Sequence, residues 1–363
     1  MDSIVQKLLD QKYFDAFIQN NMKLSTYVAE WKSEMNPEWT ATKVYTANLA
    51  EYAAAMVGSV IDKNGEKPTH VMPSLNQLMG AIGHMGDEWQ MDNERLDQFY
   101  QLEGRYHDKQ GSYTAEQRTA EYRNLIKFLF DPYEKAVIAP QKRIDMLYFE
   151  GLFNGTQTVS RTNNVKANVS YTYDLGIKKF QASVAQWGQE NSTPLDDIQA
   201  VDDWARAHGK VIMKVRMSKA TFRKMCKSAQ FIKSFKIKLA KADITPTTAL
   251  SVTDVNTYLE SLMMPTISIE KDRFVTLADG KTTNLTVDNR VVLQCADRIA
   301  VLKVADPLES VDPLPNKTYS TVDYALIGNW RDKHGRFVDY DMWATPVFNG
   351  KDDYYILETD KTA

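Results

Sequence analysis

Cysteine is scarce in this sequence: the 363 residues contain only Cys226 and Cys295, and no CxxC spacing occurs. This scarcity argues against a disulfide scaffold and against cysteine-ligated zinc or iron–sulfur sites, although a single disulfide stays open. No apolar run approaches the ~18–20 residues that a membrane span needs. The first residues also lack the basic segment and apolar core of a signal peptide. We therefore expect a protein of the cytosol, or of an assembly built there, without membrane contact.

A strong excess of one charge is also missing. The sequence has 44 Lys and Arg against 47 Asp and Glu, which gives a net charge of −3. A strongly basic nucleic-acid-binding protein is therefore disfavoured, although a local basic patch stays open. With 43% hydrophobic residues, the chain can bury a large core without metals or disulfides. Its length predicts about two domains of ~100–200 residues each.

Catalytic signatures are absent as well. The sequence contains no GxSxG, GxxxxGK(S/T), HExxH or GxGxxG motif. The five histidines lie at least 14 residues apart, so no local pair of metal ligands exists. The adjacent carboxylates Asp196-Asp197 and Asp202-Asp203 fall at and after a predicted helix start, where acidic side chains complement the helix dipole. We therefore expect no enzyme, no catalytic residue, no cofactor and no metal site.

Hydrophobic periodicity predicts a mixed α+β chain dominated by one long helix. Residues 114–153 carry the strongest helical pattern, with a capping box formed by Thr114 and Gln117 and a kink expected at Pro132 or Pro140. Further helices are predicted over residues 1–35, 74–85, 87–106, 194–208 and 218–229, and from Ser251 onward. Strands are predicted in a hairpin over residues 157–173, over residues 211–217, and through most of the last hundred residues.

Residues 57–73 predict an extended two-stranded loop. Apolar residues at both ends surround Asn64-Gly65, and Asn-Gly is the strongest short-range signal for a hairpin turn. Lys63 and Lys67 flank this turn, so the tip of the loop is basic. A two-stranded hairpin is too small to be stable alone in water. We therefore expect the loop to lie on another surface.

A second basic feature contains lysines with aromatic residues between them. Its members are Lys227, Phe231, Lys233, Phe235, Lys236, Lys238 and Lys241. One interpretation is a nucleic-acid patch, in which lysines neutralise phosphates and rings stack on bases. The other is an amphipathic stretch with the rings inside and the lysines in water. The net charge favours the second interpretation, and charge pairing between subunits is a third.

Several local patterns cluster between about residues 131 and 235. Arg143–Asp145 lies late in the long helix, and Leu152–Gly155 forms a Leu-x-x-Gly element just before the predicted hairpin. Further along, Trp204 lies in an acidic helix that ends near Gly209. A strand then runs into Met217-Ser218 at the start of the next helix.

These patterns, and the order of the predicted elements, resemble the major capsid proteins of tailed bacteriophages, which have the HK97-like fold. The sequence is most similar to the lambda-type capsid protein E family, whose members share the run late in the long helix and the elements after it. The resemblance covers about residues 131–235 and is weak over residues 1–60.

The resemblance implies an α+β fold with interwoven domains. These would be an N-terminal arm with helices (1–56), an extended loop (57–73), a peripheral domain with the long spine helix (74–193 and 316–363), and an axial domain (194–315). Contacts between subunits would involve the loop tip and the basic run, with these candidate residues: Lys63, Asn64, Gly65, Lys67, Lys233, Lys236 and Lys238. A covalent crosslink from a loop lysine is not indicated, because no asparagine partner or activating acid can be identified.

The function implied is self-assembly into hexamers and pentamers of an icosahedral or prolate phage head around DNA. Expected partners are further copies of the chain, a scaffold, a portal, decoration proteins, and packaged DNA through weak non-specific contact. The expected location is the virion, assembled in the cytoplasm of the bacterial host. Two alternatives stay open: an encapsulin-like compartment shell, and another virion component such as a tail protein.

Overall fold

The computed structural model of the chain describes residues 4–22, 27–49, 76–109, 111–164, 170–239, 250–277 and 279–360. The helices in these ranges are α1 (Ile4–Lys7), α2 (Gln11–Asn21), α3 (Trp31–Glu34), α4 (Asn93–Lys109), α5 (Ala115–Asn154), α6 (Pro194–Ala207), α7 (Lys219–Cys226), α8 (Ala229–Leu239), α9 (Val252–Ser261) and α10 (Leu308–Val311). None of these helices is both long enough and apolar enough to cross a bilayer.

Strands dominate the C-terminal third of the described chain. In chain order they are β1 (Met35–Trp39), β2 (Val44–Leu49), β3 (Asn76–Ala81), β4 (His84–Asp92), β5 (Thr156–Val159), β6 (Tyr171–Asp174), β7 (Lys179–Gln181), β8 (Lys214–Ser218), β9 (Thr266–Glu270), β10 (Phe274–Thr276), β11 (Thr282–Asn284), β12 (Arg290–Gln294), β13 (Ala300–Ala305), β14 (Thr318–Val322), β15 (Ala325–Asp332), β16 (Gly335–Phe348) and β17 (Tyr354–Glu358).

Two sheets organise the molecule. The first has the order β1-β13-β16-β15-β14, and β4 pairs with the other side of the long strand β16. The second has the order β7-β17-β12-β8-β9. Three further strand pairs, β2 with β3, β5 with β6 and β10 with β11, form separate antiparallel hairpins. Since β17 follows β16 directly, the chain passes from the first sheet into the second near its C-terminal end.

The long helix α5 lies against both sheets. Its N-cap is Thr114, which forms the predicted capping box with Gln117, and it ends at Gly155 in the left-handed conformation. Residues 115–124 are exposed, whereas the helix is largely buried from Leu125 onward. Pro132 and Pro140 are both accommodated inside this one helix.

The second sheet separates two hydrophobic cores by the alternation of its side chains. Val292 and Ile356 face the core that contains α2, α5 and the first sheet. Their neighbours Val291 and Leu357 face the core formed by α6, α7, α8 and α9. Successive side chains of a strand point to opposite faces, so both faces of this sheet are buried.

The helix predicted over residues 74–85 is wrong. The structure has β3 and β4 there, although Leu75, Leu78 and Met85 follow a helical spacing. Glycines at 80, 83 and 86 make a helix less stable here. The residues pair with neighbouring strands instead. A Cβ atom on Gly86 would lie 3.1 Å from the carbonyl oxygen of Tyr340 on β16. The glycine therefore allows β4 to approach its partner strand closely.

Three other helical predictions are corrected by the structure. The single helix over residues 1–35 is instead the three short helices α1, α2 and α3. The helix predicted over residues 87–106 begins only at Asn93, because the residues before it complete β4. The helix over residues 218–229 is divided into α7 and α8 at Ser228, whose hydroxyl accepts from the amide of Phe231 and so starts a new helix.

Other predictions are confirmed with small shifts of their boundaries. The helix over residues 194–208 is α6, and the helix after Ser251 is α9, where the Ser251 hydroxyl accepts from the amide of Asp254. The hairpin over residues 157–173 is the β5–β6 pair. The predicted C-terminal strands are present as β12 to β17.

Candidate assembly surfaces

The loop predicted over residues 57–73 falls outside the described residues, and so do Lys63, Asn64, Gly65 and Lys67. The structure does describe where the chain departs and returns. β2 and β3 pair in register from Val44 with Ala81 to Leu49 with Asn76. The intervening 26 residues therefore begin and end at one paired position, at the end of a two-stranded hairpin.

The middle of the basic run lies on α8, whose apolar side belongs to the same core as one face of the second sheet. Lys227 follows α7, and Lys241 lies outside the described residues. Phe231 and Phe235 of α8 are buried, at 0% and 1% exposure, and their rings stack with centroids 5.6 Å apart. Lys233 is exposed. Lys236 and Lys238 belong to the same helix, but their side chains are outside the described part. Because both rings are in the core, neither can stack on a nucleic-acid base.

The N-terminal arm, defined here as residues 4–39, is attached along an edge of the first sheet. The side chain of Gln11 accepts from the amide of Tyr319 at 2.8 Å and donates to the carbonyl oxygen of the same residue. Gln19 donates to the carbonyl oxygen of Thr321 at 3.2 Å. These are backbone groups of the edge strand β14, so glutamine side chains of α2 occupy hydrogen-bonding positions that another strand would take.

The next part of the arm, α3, is held by the long helix α5. Asp145 accepts from the amides of Trp31 and Glu30, at 2.7 and 3.1 Å, and from the hydroxyl of Tyr27. Gln141 accepts from the indole of Trp31 at 2.6 Å. Asp145 therefore fixes the start of α3, where its charge also complements the helix dipole. Burial raises the pKa of Asp145 to about 6, although the three hydrogen bonds act in the opposite direction.

A buried ionic cluster joins the arm to the second sheet. Arg216 of β8 is 1% exposed. Its guanidinium donates to both carboxylate oxygens of Glu34, at 2.8 and 2.9 Å, and to Glu270 of β9 at 2.7 Å. Tyr148 of α5 donates to Glu34 at 2.8 Å. The four groups come from α3, α5, β8 and β9, so the cluster fixes the arm against both the long helix and the second sheet.

The pKa values of the two carboxyl groups in this cluster are set by their pairing with arginine. Burial alone would raise the pKa of Glu34 and of Glu270, but hydrogen bonds and charge attraction from Arg216 bring both below the ordinary value. Arg273 contributes in the same direction at Glu270, to which it donates at 2.9 Å. Both carboxylates are therefore ionised in the folded chain, as a paired buried cluster requires.

Groups that often carry chemistry have structural roles in the described residues. Both cysteines are free, and burial raises the pKa of Cys226 and of Cys295 to about 12, so neither is a reactive thiolate. Across the described ranges, no cluster of three or more His, Cys, Asp and Glu side chains is arranged to hold a metal ion. His70 lies outside these ranges.

The ionic cluster was not found from the sequence. Arg216 lies between the apolar residues Val215 and Met217, and strand alternation places it on the opposite face, where an arginine ordinarily meets solvent, so no local signal indicates a buried partner. Glu34 and Glu270 are 182 and 54 positions away. No local spacing connects them, so their identity as partners required the structure.

No known protein-family model matches the sequence, and no curated protein matches it. Solved structures do match it. A capsid protein of a prophage from Escherichia coli CFT073 is 12% identical, with 96% of this chain and 98% of that chain covered and a TM-score of 0.56. The capsid of cyanophage A-1(L) is 10% identical over 93% and 95%, with a TM-score of 0.48. The mature capsid of bacteriophage PhiM1 is 11% identical over 92% and 88%, with a TM-score of 0.45.

The match to the prophage protein extends over nearly the whole of both chains. At 12% identity it concerns the fold alone. The chain has the α+β, HK97-like fold of phage capsid proteins.

Proposed function

We propose that this chain is a phage major capsid protein that assembles into the hexamers and pentamers of a virion head around DNA. The observation that carries the proposal is the fold shared with a prophage capsid protein over 96% of this chain at a TM-score of 0.56. The sequence patterns around Arg143–Asp145 and Trp204 support a finer assignment to the lambda capsid protein E-like family.

The β2–β3 hairpin supports an intersubunit role for the loop that it carries. A pair of strands with no third strand beside it is marginal in water, and within the described residues β2 pairs with β3 alone. In the proposed head, residues 57–73 lie over a neighbouring subunit, which supplies the missing surface. Lys63, Asn64, Gly65 and Lys67 would then contact that neighbour.

The two cores correspond in part to the proposed division into interwoven domains, although β13, from the axial residues 194–315, pairs in the first sheet. In this proposal a segment of residues 1–56 contains the N-terminal arm, and the peripheral domain comprises residues 74–193 and 316–363 around α5 and the first sheet. The axial domain comprises residues 194–315, including α6 to α9. Strand β17 joins the two, since it pairs with β12 and β7 in the second sheet.

The proposed partners follow from assembly. Further copies of the chain form the shell, and a scaffold, a portal and decoration proteins complete the head. Packaged DNA makes only weak contact, because the chain carries a net charge of −3 and would not hold phosphates strongly. Assembly would take place in the cytoplasm of the bacterial host, and the finished location is the virion.

Expression of the full chain with its genomic neighbours tests the proposal. The expected result is closed shells or rings of five and six subunits in negative-stain electron microscopy, with a sedimentation coefficient far above that of a monomer. Tubes or baseplate-like particles would instead indicate a tail component. Shells filled with a protein cargo would indicate a compartment shell. A chain that stays monomeric with a scaffold supplied would contradict all three.

A further inference from the structure

Basic residues are concentrated in one part of this chain. Between residues 204 and 242 the sequence contains 12 Lys and Arg and no Asp or Glu, whereas the rest of the chain carries 32 basic and 47 acidic residues. Such an asymmetry gives one surface a positive potential that the net charge of −3 conceals.

Exposed basic side chains of this segment lie on α7, at its C-terminal end and on α8. We define the basic face by four exposed side chains: Lys219, Arg223, Lys227 and Lys233. The first three are spaced four residues apart, so they lie on one side of α7 and its C-terminal end. None of the four forms an ion pair with any carboxylate in the described part of the chain.

The aromatic residues near the basic face do not suit a nucleic-acid site. Phe222, Phe231 and Phe235 are at most 5% exposed and belong to the core. A site for single strands needs rings that can stack on bases. Without stacking rings, the four cations of the basic face would bind a nucleic acid only weakly through its phosphates. The face is therefore better suited to a protein surface that presents exposed carboxylates.

The chain carries such a surface on β4 and the start of α4. We define the acidic edge by four exposed carboxylates: Glu88, Asp92, Glu94 and Asp97. Glu88 and Asp92 lie on the solvent side of β4, and Glu94 and Asp97 are one turn apart on α4. Within the described residues none of these carboxylates has an ion-pair partner.

The acidic edge is also locally unfavourable in the isolated chain. Glu88 lies directly opposite Asp339 in the β4–β16 register, and like charges at directly opposed positions destabilise a sheet. Burial raises the pKa of Asp339, with Glu309 and Glu88 acting in the same direction and Lys317 opposing them. A cation brought to Glu88 from outside would relieve this repulsion.

We propose that the basic face of one copy of this chain docks on the acidic edge of a neighbouring copy. The contact is heterologous, with a different surface from each partner, and a repeated heterologous contact forms a ring where the rotation between partners closes, as the proposed hexamers and pentamers require. Charge complementarity fixes the orientation of the partners and speeds their encounter more than it adds affinity. This inference rests on the proposed function and adds to it the pair of surfaces that meet.

Charge reversal of the two surfaces, separately and together, tests the inference with full-length protein. The variants reverse three charges on each side, and Asp92 is left unchanged because it accepts from the amide of Arg95 at the start of α4. They are Arg223→Glu with Lys227→Glu and Lys233→Glu, and Glu88→Lys with Glu94→Lys and Asp97→Lys. We expect each set alone to raise the concentration needed for self-association about tenfold or more. We expect the six substitutions combined to restore self-association at the concentration that the unaltered chain needs.

A matched control reverses three exposed lysines elsewhere: Lys127→Glu, Lys271→Glu and Lys333→Glu. It changes the net charge as much as the first set does, and we expect normal self-association. Sedimentation velocity measures association, and circular dichroism verifies that each variant is folded.

Each outcome decides the inference. If both sets associate like the unaltered chain, or if the combined variant stays as defective as each set, the inference is wrong while the proposed function stands. If the first set assembles normally but loses binding to a DNA duplex, the basic face binds nucleic acid instead. An unaltered chain that never self-associates would overturn both the inference and the proposed function.

Discussion

Glu34 and Arg216 form a two-pronged ion pair across 182 positions of the chain, with oxygen–nitrogen distances of 2.8 and 2.9 Å. The pair joins the end of the N-terminal arm to a central strand of the second sheet. Glu270 also accepts from Arg216, and Arg273, which donates to Glu270, supplies the second positive charge. Such an arrangement specifies one position for the arm, since any displacement would leave a buried charge without a partner.

Removal of Arg216 should therefore be severely destabilising. Arg216→Met leaves Glu34 and Glu270 without their main cation, and breaking a buried pair in this way costs about 3–5 kcal/mol. Glu34→Gln should cost less, because Arg216 keeps Glu270 and the amide oxygen can still accept. Urea denaturation of the unassembled subunit measures both free energies of unfolding.

Arg331→Met is the control for this experiment, because Arg331 is exposed at the end of β15. It should change the free energy of unfolding by less than about 0.5 kcal/mol. A loss for Arg216→Met as small as that of the control would contradict the assigned role of the cluster.

The sequence predicted the elements whose signals are local. The capping box at Thr114 and the left-handed cap at Gly155 bound the long helix, and both signals lie within a few residues of the ends that they determine. The β2–β3 hairpin and the ionic cluster depend instead on pairing between distant residues. Met85 follows a helical spacing in the sequence, but in the structure it lies in β4 and pairs with β16. The partner strand is distant in sequence, so a short window of neighbouring residues cannot reveal this pairing.

The pH dependence of the arm contact should be set by Asp145. Its pKa in the folded chain is about 6, above the ordinary value of 3.8, because the carboxyl group is buried. The folded state therefore binds the proton more tightly than the unfolded state does. The stability that this group contributes is fully present below about pH 4 and is lost as the pH rises through about 6.

Asp145→Asn isolates this contribution, because the variant cannot titrate there. The free energy of unfolding of the unaltered chain, minus that of the variant, should fall by about 2 kcal/mol between pH 4 and pH 7, since one unit of pKa corresponds to about 1.4 kcal/mol and part of the loss has already occurred at pH 4. Denaturant titrations at several pH values give this difference. A difference that is constant, or that grows with pH, would exclude a raised pKa at Asp145.

The two glycines at 104 and 155 should respond in opposite directions to alanine. Gly155 has a φ of 67° at the end of α5, and a Cβ atom there would lie 3.3 Å from Ile356. Gly155→Ala should therefore cost about 1 kcal/mol. Gly104 lies inside α4, where an added Cβ meets no atom within 4 Å, so Gly104→Ala should stabilise by about 0.5–1 kcal/mol. Thermal unfolding compares the two, and a shift of the same sign in both would contradict the assigned cap.

The edge strand β14 should become accessible when the glutamine contacts of α2 are removed. Gln11 and Gln19 bind backbone groups of Tyr319 and Thr321, and each neutral hydrogen bond contributes about 0.5–1.5 kcal/mol. Gln11→Ala with Gln19→Ala should therefore increase the hydrogen exchange rate of the Tyr319 amide, which then has no acceptor. Exchange mass spectrometry of peptides covering residues 316–324 measures it. Lys12→Ala, an exposed change on the same helix, should leave that rate unchanged. Equal rates in all three proteins would mean that α2 does not protect this edge, and that β14 resists further pairing for another reason.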